Sequence, residues 1–195
     1  SAVDELLKKE FDQYRGKNEP HPLIIQNGID AIPLQIETLN TWRTNFTGVQ
    51  FHHVPTNLLI FGAIDDLWIN SAKEMIVVDY KATSKKEKID RLNNTWHITY
   101  KRQMEIYQWL IANNGYTVSN TGYFIYCNGI TDKEAFNSIL EFEVNVIPYE
   151  GDSSWIENTI MNLHECLNAN DIPPHTERCE YCGYRDAASD VILNR

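Results

Sequence analysis

The fold of this chain is decided by the stretch Met75-Ile76-Val77-Val78-Asp79-Tyr80-Lys81-Ala82, in which an apolar run leads directly into two charged side chains. Such a run is typical of a buried strand whose far end opens into a cleft. Side chains two positions apart on a strand share one face. We therefore expect Asp79 and Lys81 to face a cleft together.

Two further strand-like runs, residues 49–54 and 58–68, come before this stretch. The polar residues 70–73 predict a turn, so that runs 58–68 and 75–82 form a hairpin. This hairpin brings Asp65, near the end of the neighbouring strand, next to Asp79. Asp66 is adjacent to Asp65 and should point elsewhere, so we expect a structural or capping role for it.

Two neighbouring carboxylates repel each other, and a divalent cation relieves that repulsion. Hard oxygen donors suit Mg²⁺ or Mn²⁺. Such a cation lowers the pKa of its water and stabilises charge on a phosphate, while Lys81 holds the attacking water or neutralises a phosphate oxygen. The pattern therefore predicts phosphodiester hydrolysis. The alternative is a turn aspartate at Asp65 and a surface ion pair between Asp79 and Lys81.

The remaining pattern predicts a mixed α/β fold, a central mixed sheet flanked by helices. We expect one domain over residues 1–195, with a cysteine-containing tail from about residue 170. Trp42 and Phe46 are expected to anchor their segment to the core. The other predicted elements are helices over residues 3–14, 100–114 and 154–167 and strands over residues 122–127 and 139–147.

The composition limits the possible classes of protein. No apolar run approaches the roughly 20 residues that a membrane span requires, and the charged N-terminal residues predict a cytoplasmic location. The net charge is −10, from 17 basic and 27 acidic residues. This average disfavours nucleic acid as a partner, but binding depends on a local basic patch. The oligomeric state is left open.

Three motifs follow one another in the order Gly62-x-x-Asp65, Asp79-Tyr80-Lys81 and Gln103-x-x-x-Tyr107. This order resembles the RecB-like branch of the PD-(D/E)XK nucleases, which includes CRISPR-associated exonucleases and nuclease domains of recombination helicases. The resemblance implies a restriction-endonuclease-like core and a Mg²⁺- or Mn²⁺-dependent DNA exonuclease with a role in DNA repair.

The resemblance also implies a role for each matching residue. Asp65 and Asp79 would be metal ligands, with the Tyr80 main-chain carbonyl as a third oxygen. Lys81 would be the catalytic lysine, and Gln103 and Tyr107 would shape the site. For Gln103 the alternative is a hydrogen bond that caps the core, because an amide in the apolar stripe of its helix needs a buried partner.

The first helix is expected to supply one more ligand, as related nucleases draw an acidic or histidine ligand from an early helix. Glu10 is the main candidate, because it lies near the centre of the apolar arc, where a carboxylate is costly unless it is paired or metal-bound. The alternative is a salt bridge or an exposed side chain. Asp4 and Asp12 are weaker candidates at the edges of that arc.

Basic residues near the site are candidates for contacts with substrate phosphates, with a solvated loop as the alternative reading. They are Lys85, Lys86, Lys88, Lys101 and Arg102. Trp96 and His97 are able to stack on bases, but we expect Trp96 to pack in the core.

Cys179 and Cys182 have metal-ligand spacing. Related nucleases complete a four-iron cluster with a cysteine ahead of the first helix, but here no cysteine precedes Cys127. A zinc site with His175 lacks a fourth ligand, so we expect a reduced, empty pair. Cys127 and Cys166 are expected in the core.

Two readings compete with a DNA nuclease. One is a catalytically silent nucleic-acid-binding module, and the other is a protein-interaction module that binds a basic partner through its acidic surface. The intact pair of Asp79 and Lys81 favours the enzyme.

Overall fold

The structure is a computed structural model that describes residues 1–86, 89–176 and 178–193. The chain forms two compact units, Ser1–Glu157 and Asn158–Arg195. Within the described residues the helices are α1 (Ala2–Lys17), α2 (Pro22–Gln26), α3 (Leu39–Trp42), α4 (Ile98–Asn113), α5 (Ile156–Asn168) and α6 (Glu180–Leu193). The strands are β1 (Ile32–Pro33), β2 (Val49–His53), β3 (Leu58–Gly62), β4 (Asp66–Ile69), β5 (Met75–Thr83), β6 (Thr121–Gly129) and β7 (Phe142–Glu150). None of the described helices has the length and apolar character needed to cross a lipid bilayer.

Five strands form a mixed sheet in the order β1-β4-β5-β6-β7, and β2 pairs with β3 in a separate hairpin. The β5–β6 pair is parallel, whereas the other pairs in the large sheet are antiparallel. A parallel pair needs a crossover connection, and α4 lies in the segment that joins β5 to β6. The predicted mixed α/β fold is therefore confirmed.

The run of residues 58–68 was predicted as one strand, and this prediction is wrong. The run divides into β3, which pairs with β2, and β4, which pairs with β5. Between them the Ile64 amide donates to the Trp42 carbonyl at 3.1 Å, outside any strand ladder, and the Ile64 side chain is buried. The predicted hairpin turn is present, because β4 and β5 pair in register from Ile69 and Met75.

The two faces of β5 have different partners. Ile76, Val78 and Tyr80 belong to the hydrophobic core that includes Leu7 and Phe11 of α1. Because strand side chains alternate, Asp79 and Lys81 lie on the opposite face, where β5 contacts α4. The sheet thus separates the apolar core under α1 from the charged pair beside α4.

Three further differences from the predicted elements have local causes. Phe46 is 91% exposed, because it lies in the turn after α3, whereas Trp42 is buried as expected. Strand β7 begins at Phe142 rather than at residue 139, because residues 136–139 form a turn in which the Ile139 amide donates to the Phe136 carbonyl at 2.9 Å. The C-terminal tail contains α6, which was not predicted.

Candidate active site

Asp65 and Asp79 lie side by side where β4 begins beside β5, two interior strands of the large sheet. Asp66 pairs with Val78 in the register of β4 and β5, so Asp65, immediately before β4, stands beside Asp79. The Oδ2 atom of Asp65 accepts a hydrogen bond of 2.9 Å from the main-chain amide of Tyr80, the residue after Asp79. The structure therefore brings together the two acids that the sequence pattern paired.

Asp79 is buried, with 1% of its surface exposed, and it forms an ion pair with Lys81. Its pKa is raised to about 7, mainly by burial, which the Lys81 ammonium opposes and the nearby charge of Asp65 reinforces. A carboxylate that is desolvated beside a second acid gains from a cation placed between them. Asp79 therefore has the electrostatic character of a cation ligand.

Lys81 is held from several sides. Its Nζ atom forms the ion pair with Asp79, donates to Oε1 of Gln103 at 2.9 Å and lies 4.6 Å from the centre of the Tyr100 ring. The amide nitrogen of Gln103 donates in turn to the Tyr107 hydroxyl at 2.8 Å. The polar partners of Gln103 are thus Lys81 and Tyr107, rather than a main-chain group that it would cap.

Gly62 belongs to the same contact chain, because a Cβ atom at this position would lie 2.7 Å from Cε1 of Tyr107. The absence of a side chain allows α4 to approach the end of β3. The glycine of the first motif and the tyrosine of the third therefore pack on each other. The spacing of the motifs had not suggested this contact.

Two basic residues at Asp65 were not anticipated from the sequence. Lys8 of α1 places Nζ 3.2 Å from Oδ1 of Asp65, and Arg43 donates from Nε to the Asp65 carbonyl at 2.9 Å. Arg43 follows α3 and stands 22 positions from Asp65, so no local pattern connects them. The sequence offered one indication of these contacts: Lys8 lies on α1, the helix that was expected to supply a ligand to the site.

Asp66 is fully buried in a network of structural contacts. Its carboxylate accepts from Arg15, from Arg43 at 2.9 Å and from the Tyr80 hydroxyl at 2.7 Å. Burial and the Asp66 charge raise the pKa of Tyr80, so the phenol keeps the proton that it donates. Asp66 thus points away from Asp65 and joins α1, the segment after α3, and β5.

The expectation that Glu10 is a buried ligand is wrong. Its side chain is 56% exposed, and Oε1 lies 2.9 Å from Nε2 of His21. The apolar pattern had centred the buried arc incorrectly, because Leu6 is 64% exposed whereas the charged Arg15 is buried. Arg15 is able to enter the interior because it pairs with Asp66.

Asp4, a weaker candidate on α1, pairs with the Ser1 amino group and affects Asp79 only through its charge. Its negative charge contributes to the raised pKa of Asp79, after the larger effects of burial, Lys81 and Asp65. Asp12, the other weaker candidate, accepts from Arg43 at 3.0 Å and from Arg15 at 3.0 Å. Asp12 therefore belongs to the network around Asp66.

Within residues 1–86, 89–176 and 178–193, no three histidine, cysteine, aspartate or glutamate side chains are grouped as a metal site. The oxygen donors that the structure brings together here are the Asp65 and Asp79 carboxylates, and the Tyr80 main-chain amide donates to Asp65 beside them. Mg²⁺ commonly binds through one or two carboxylates and keeps several waters. The donor set and the buried carboxylate of Asp79 fit such a cation.

The predicted phosphate contacts fall into two groups. Lys85 and Lys86 line a groove of about 730 Å³, and Arg102 lines a second groove of about 550 Å³ beside Gln103 and Tyr107. The Nζ atom of Lys101 lies 5.6 Å from the centre of the Tyr149 ring, and the Cζ atom of Arg102 lies 5.7 Å from the centre of the Trp155 ring. The fifth candidate, Lys88, is outside the described residues.

Trp96 is partly exposed, whereas the neighbouring His97 is buried. Trp96 is 41% exposed and lines the larger groove, so its predicted core position is wrong. His97 is fully buried beneath it, with ring centres 3.8 Å apart. The histidine is accommodated because its Nδ1 accepts from the Asn94 amide at 3.1 Å, and burial lowers its pKa toward the neutral form.

The four cysteines do not form a cluster among the residues that the structure describes. Cys127 is buried as expected, but Cys166 is exposed together with Leu163 and Leu167, so its predicted core position is wrong. The Cys182 amide donates to Sγ of Cys179 at 3.4 Å. His175, considered above for a zinc site, pairs with Asp186 at 3.1 Å.

Comparison with protein families gives one match. The family model of the PD-(D/E)XK nuclease superfamily matches residues 1–187, which include every residue of the candidate site. No curated protein and no solved structure matches the chain.

Proposed function

Because this chain belongs to the PD-(D/E)XK nuclease superfamily, we propose that it is a Mg²⁺- or Mn²⁺-dependent deoxyribonuclease of the RecB-like type that degrades DNA from an end. The observation that carries this proposal is the contact chain from Asp79 to Lys81 and Gln103, with Asp65 beside it. Residues of all three motifs are in contact here, because Tyr107 packs on Gly62 and accepts a hydrogen bond from Gln103.

The residues of the site have separate tasks in hydrolysis. When bound, the cation lowers the pKa of its water and stabilises charge on the phosphate. Asp65 and Asp79 would hold it, with the Tyr80 carbonyl as the third oxygen that the resemblance implies. Lys81 holds the attacking water or neutralises a non-bridging oxygen.

The position of Lys81 explains why it suits this task. Gln103 and the Tyr100 ring fix the ammonium group, and Tyr107 fixes Gln103. A catalytic group that is held before substrate arrives loses little freedom during the reaction. Lys85, Lys86 and Arg102 line the adjoining grooves, where they are available to substrate phosphates.

A catalytically silent module is the competing reading, and the state of Asp79 argues against it. Burying an ionisable acid beside a second acid costs the fold free energy. A bound cation offsets this cost, whereas a catalytically silent module has no use for a buried pair of acids.

The test is a cleavage assay on end-labelled single-stranded DNA, duplex DNA and RNA, with Mg²⁺, Mn²⁺ or EDTA. We expect wild type to release short products from DNA ends only with metal, and Lys81→Ala to lower the rate by at least about 100-fold. Lys9→Ala, which removes an exposed lysine of α1, is the matched control and should cleave like wild type. Equal, negligible cleavage by wild type and Lys81→Ala on every substrate would refute the proposal.

A further inference from the structure

The larger groove lies just beyond the C-terminal end of β5, opposite the end with the apolar run. Six of its lining residues are Lys85, Lys86, Ile89, Arg91, Asn94 and Trp96, and its volume is about 730 Å³. Three of these side chains are basic and Asp90 is the one acid in the described lining, although the chain as a whole carries a net charge of −10. The groove is therefore locally suited to an anion.

An aromatic path connects this groove to the candidate catalytic lysine. The Lys81 Nζ atom lies 4.6 Å from the centre of the Tyr100 ring, and that ring meets Trp96 edge-on with centres 5.6 Å apart. The Lys85 Nζ atom lies 5.8 Å from the centre of the Trp96 ring. The path therefore runs from one lysine to the other across two aromatic rings.

Both ends of the groove are held in place. The Lys85 amide donates to Oδ1 of Asn128 at 2.7 Å, and the Asn128 amide donates back to the Lys85 carbonyl at 2.9 Å. Asn128 is itself buried on β6. Trp96 sits in a 3-10 helical turn, Thr95–His97, and rests on the buried His97. The partly exposed ring of Trp96 is thus presented by a fixed support.

We propose that Trp96 is a stacking site for an unpaired base of the substrate strand, with Lys85 facing the phosphate of the same nucleotide. This inference rests on the proposed function and names the class of substrate, a single-stranded segment. A tryptophan face accepts any base, whereas a base stacked within a duplex offers no free face. The basic lining favours a polyanion over an apolar or basic partner.

The test measures binding without cleavage, in EDTA, by fluorescence anisotropy with a labelled ten-nucleotide oligo-dT. An abasic strand of the same length and charge is the matched ligand. We expect Trp96→Leu to bind oligo-dT about tenfold more weakly, and Trp96→Phe to lose much less because it keeps an aromatic face. Phe46→Leu, at an exposed aromatic residue in the turn before β2, should bind like wild type.

The abasic strand separates stacking from a general loss of structure. Wild type should bind it about tenfold more weakly than oligo-dT, and Trp96→Leu should bind it as wild type does. Equal binding of the two strands by wild type, or an equal loss on both strands in Trp96→Leu, would overturn the proposal. The first of these comparisons needs no variant, so it decides even if Trp96→Leu does not fold.

Failure of the stacking site and failure of the nuclease proposal give different results. If wild type prefers oligo-dT through Trp96 but cleaves nothing with metal, the stacking site stands and the nuclease proposal fails. If wild type cleaves DNA but does not distinguish oligo-dT from the abasic strand, the nuclease stands and the stacking site fails.

Discussion

Asp79 combines burial with two charged neighbours, Asp65 and Lys81, and its raised pKa of about 7 has a consequence for cation binding. Below pH 7 the protonated acid must release its proton before it binds a cation. We expect the affinity for Mn²⁺, measured by calorimetry from pH 5.5 to 8.5, to fall about tenfold per pH unit below pH 7 and to level off above it. An affinity that is flat across this range would contradict the role of Asp79.

The raised pKa of Asp79 also makes the stability of the metal-free protein depend on pH. This contribution falls as the pH rises, whereas the cation affinity increases. Because the folded pKa of Asp79 lies above its ordinary value of 3.8, the folded state binds the extra proton. Its contribution to the free energy of unfolding is present in full below pH 3.8 and is lost as the pH rises through 7. Asp79→Asn should remove this dependence in chemical denaturation experiments.

Lys8 competes with a cation at Asp65, because its ammonium lies 3.2 Å from Oδ1. We expect Lys8→Met to raise the affinity for Mn²⁺ about tenfold, which corresponds to about 1.4 kcal/mol. Lys9→Met removes an exposed lysine next to it in sequence and serves as the control for the change in net charge. The idea fails if both variants shift the calorimetric affinity equally.

The sequence predicted which side chains share a face where the residues belong to a local motif. Asp79 and Lys81 share a face because of strand alternation, and Gln103 and Tyr107 share one because of helical spacing. Lys8 and Arg43 were not predictable, because they reach Asp65 from distant segments and their pairing depends on the tertiary fold.

At the scale of elements, the contact between the end of β3 and α4 places Gln103 at the site. A methyl group added at Gly62 would meet the Tyr107 ring at 2.7 Å, so the ring and the hydrogen bond to Gln103 must shift. We expect Gly62→Ala to lower the free energy of unfolding by about 1–3 kcal/mol and to reduce cleavage at least tenfold. Denaturant titration and initial rates measure the two effects.

Tyr107→Phe is the matched variant for this contact, because it keeps the ring against Gly62 and removes only the hydroxyl. It should retain most of the stability and lose part of the activity. If Gly62→Ala is as stable and as active as wild type, the close packing of α4 on β3 has no part in shaping the site.

The elements themselves were predictable where their period was clear, as for α1, α4 and β5. The break between β3 and β4 was not, because Ala63 and Ile64 continue the apolar character of β3, and the break involves a tertiary hydrogen bond from Ile64 to Trp42. The buried face of α1 was also misplaced, since burial of Arg15 depends on Asp66, 51 positions away.

At the scale of the whole molecule, the net charge of −10 disfavours the binding of nucleic acid, whereas the basic side chains that line the groove around Trp96 favour it. If Lys85, Lys86 and Arg91 meet three phosphates, the logarithm of the oligo-dT affinity should fall with the logarithm of salt concentration with a slope of about −2. Lys85→Ala should reduce the magnitude of that slope by about 0.7. Binding that is independent of salt would exclude the groove as a phosphate contact.

The family match over residues 1–187 covers the first compact unit, Ser1–Glu157, and most of the second, Asn158–Arg195. The sheet and the site lie in the first unit and follow the sequence pattern closely. The second unit followed it less well, because its helix α6 has a weak apolar pattern and the apolar residues Leu163 and Leu167 of α5 are exposed.

The central claim is that adjoining strands bring Asp65 and Asp79 to one pocket that binds a cation beside Lys81. The most direct measurement is the anomalous scattering from crystals of the protein soaked in Mn²⁺. We expect a single strong peak within about 2–2.5 Å of a carboxylate oxygen of both aspartates, and its loss in Asp79→Asn crystals. A soaked crystal with no peak between these two carboxylates, or with manganese bound only elsewhere, would contradict the account.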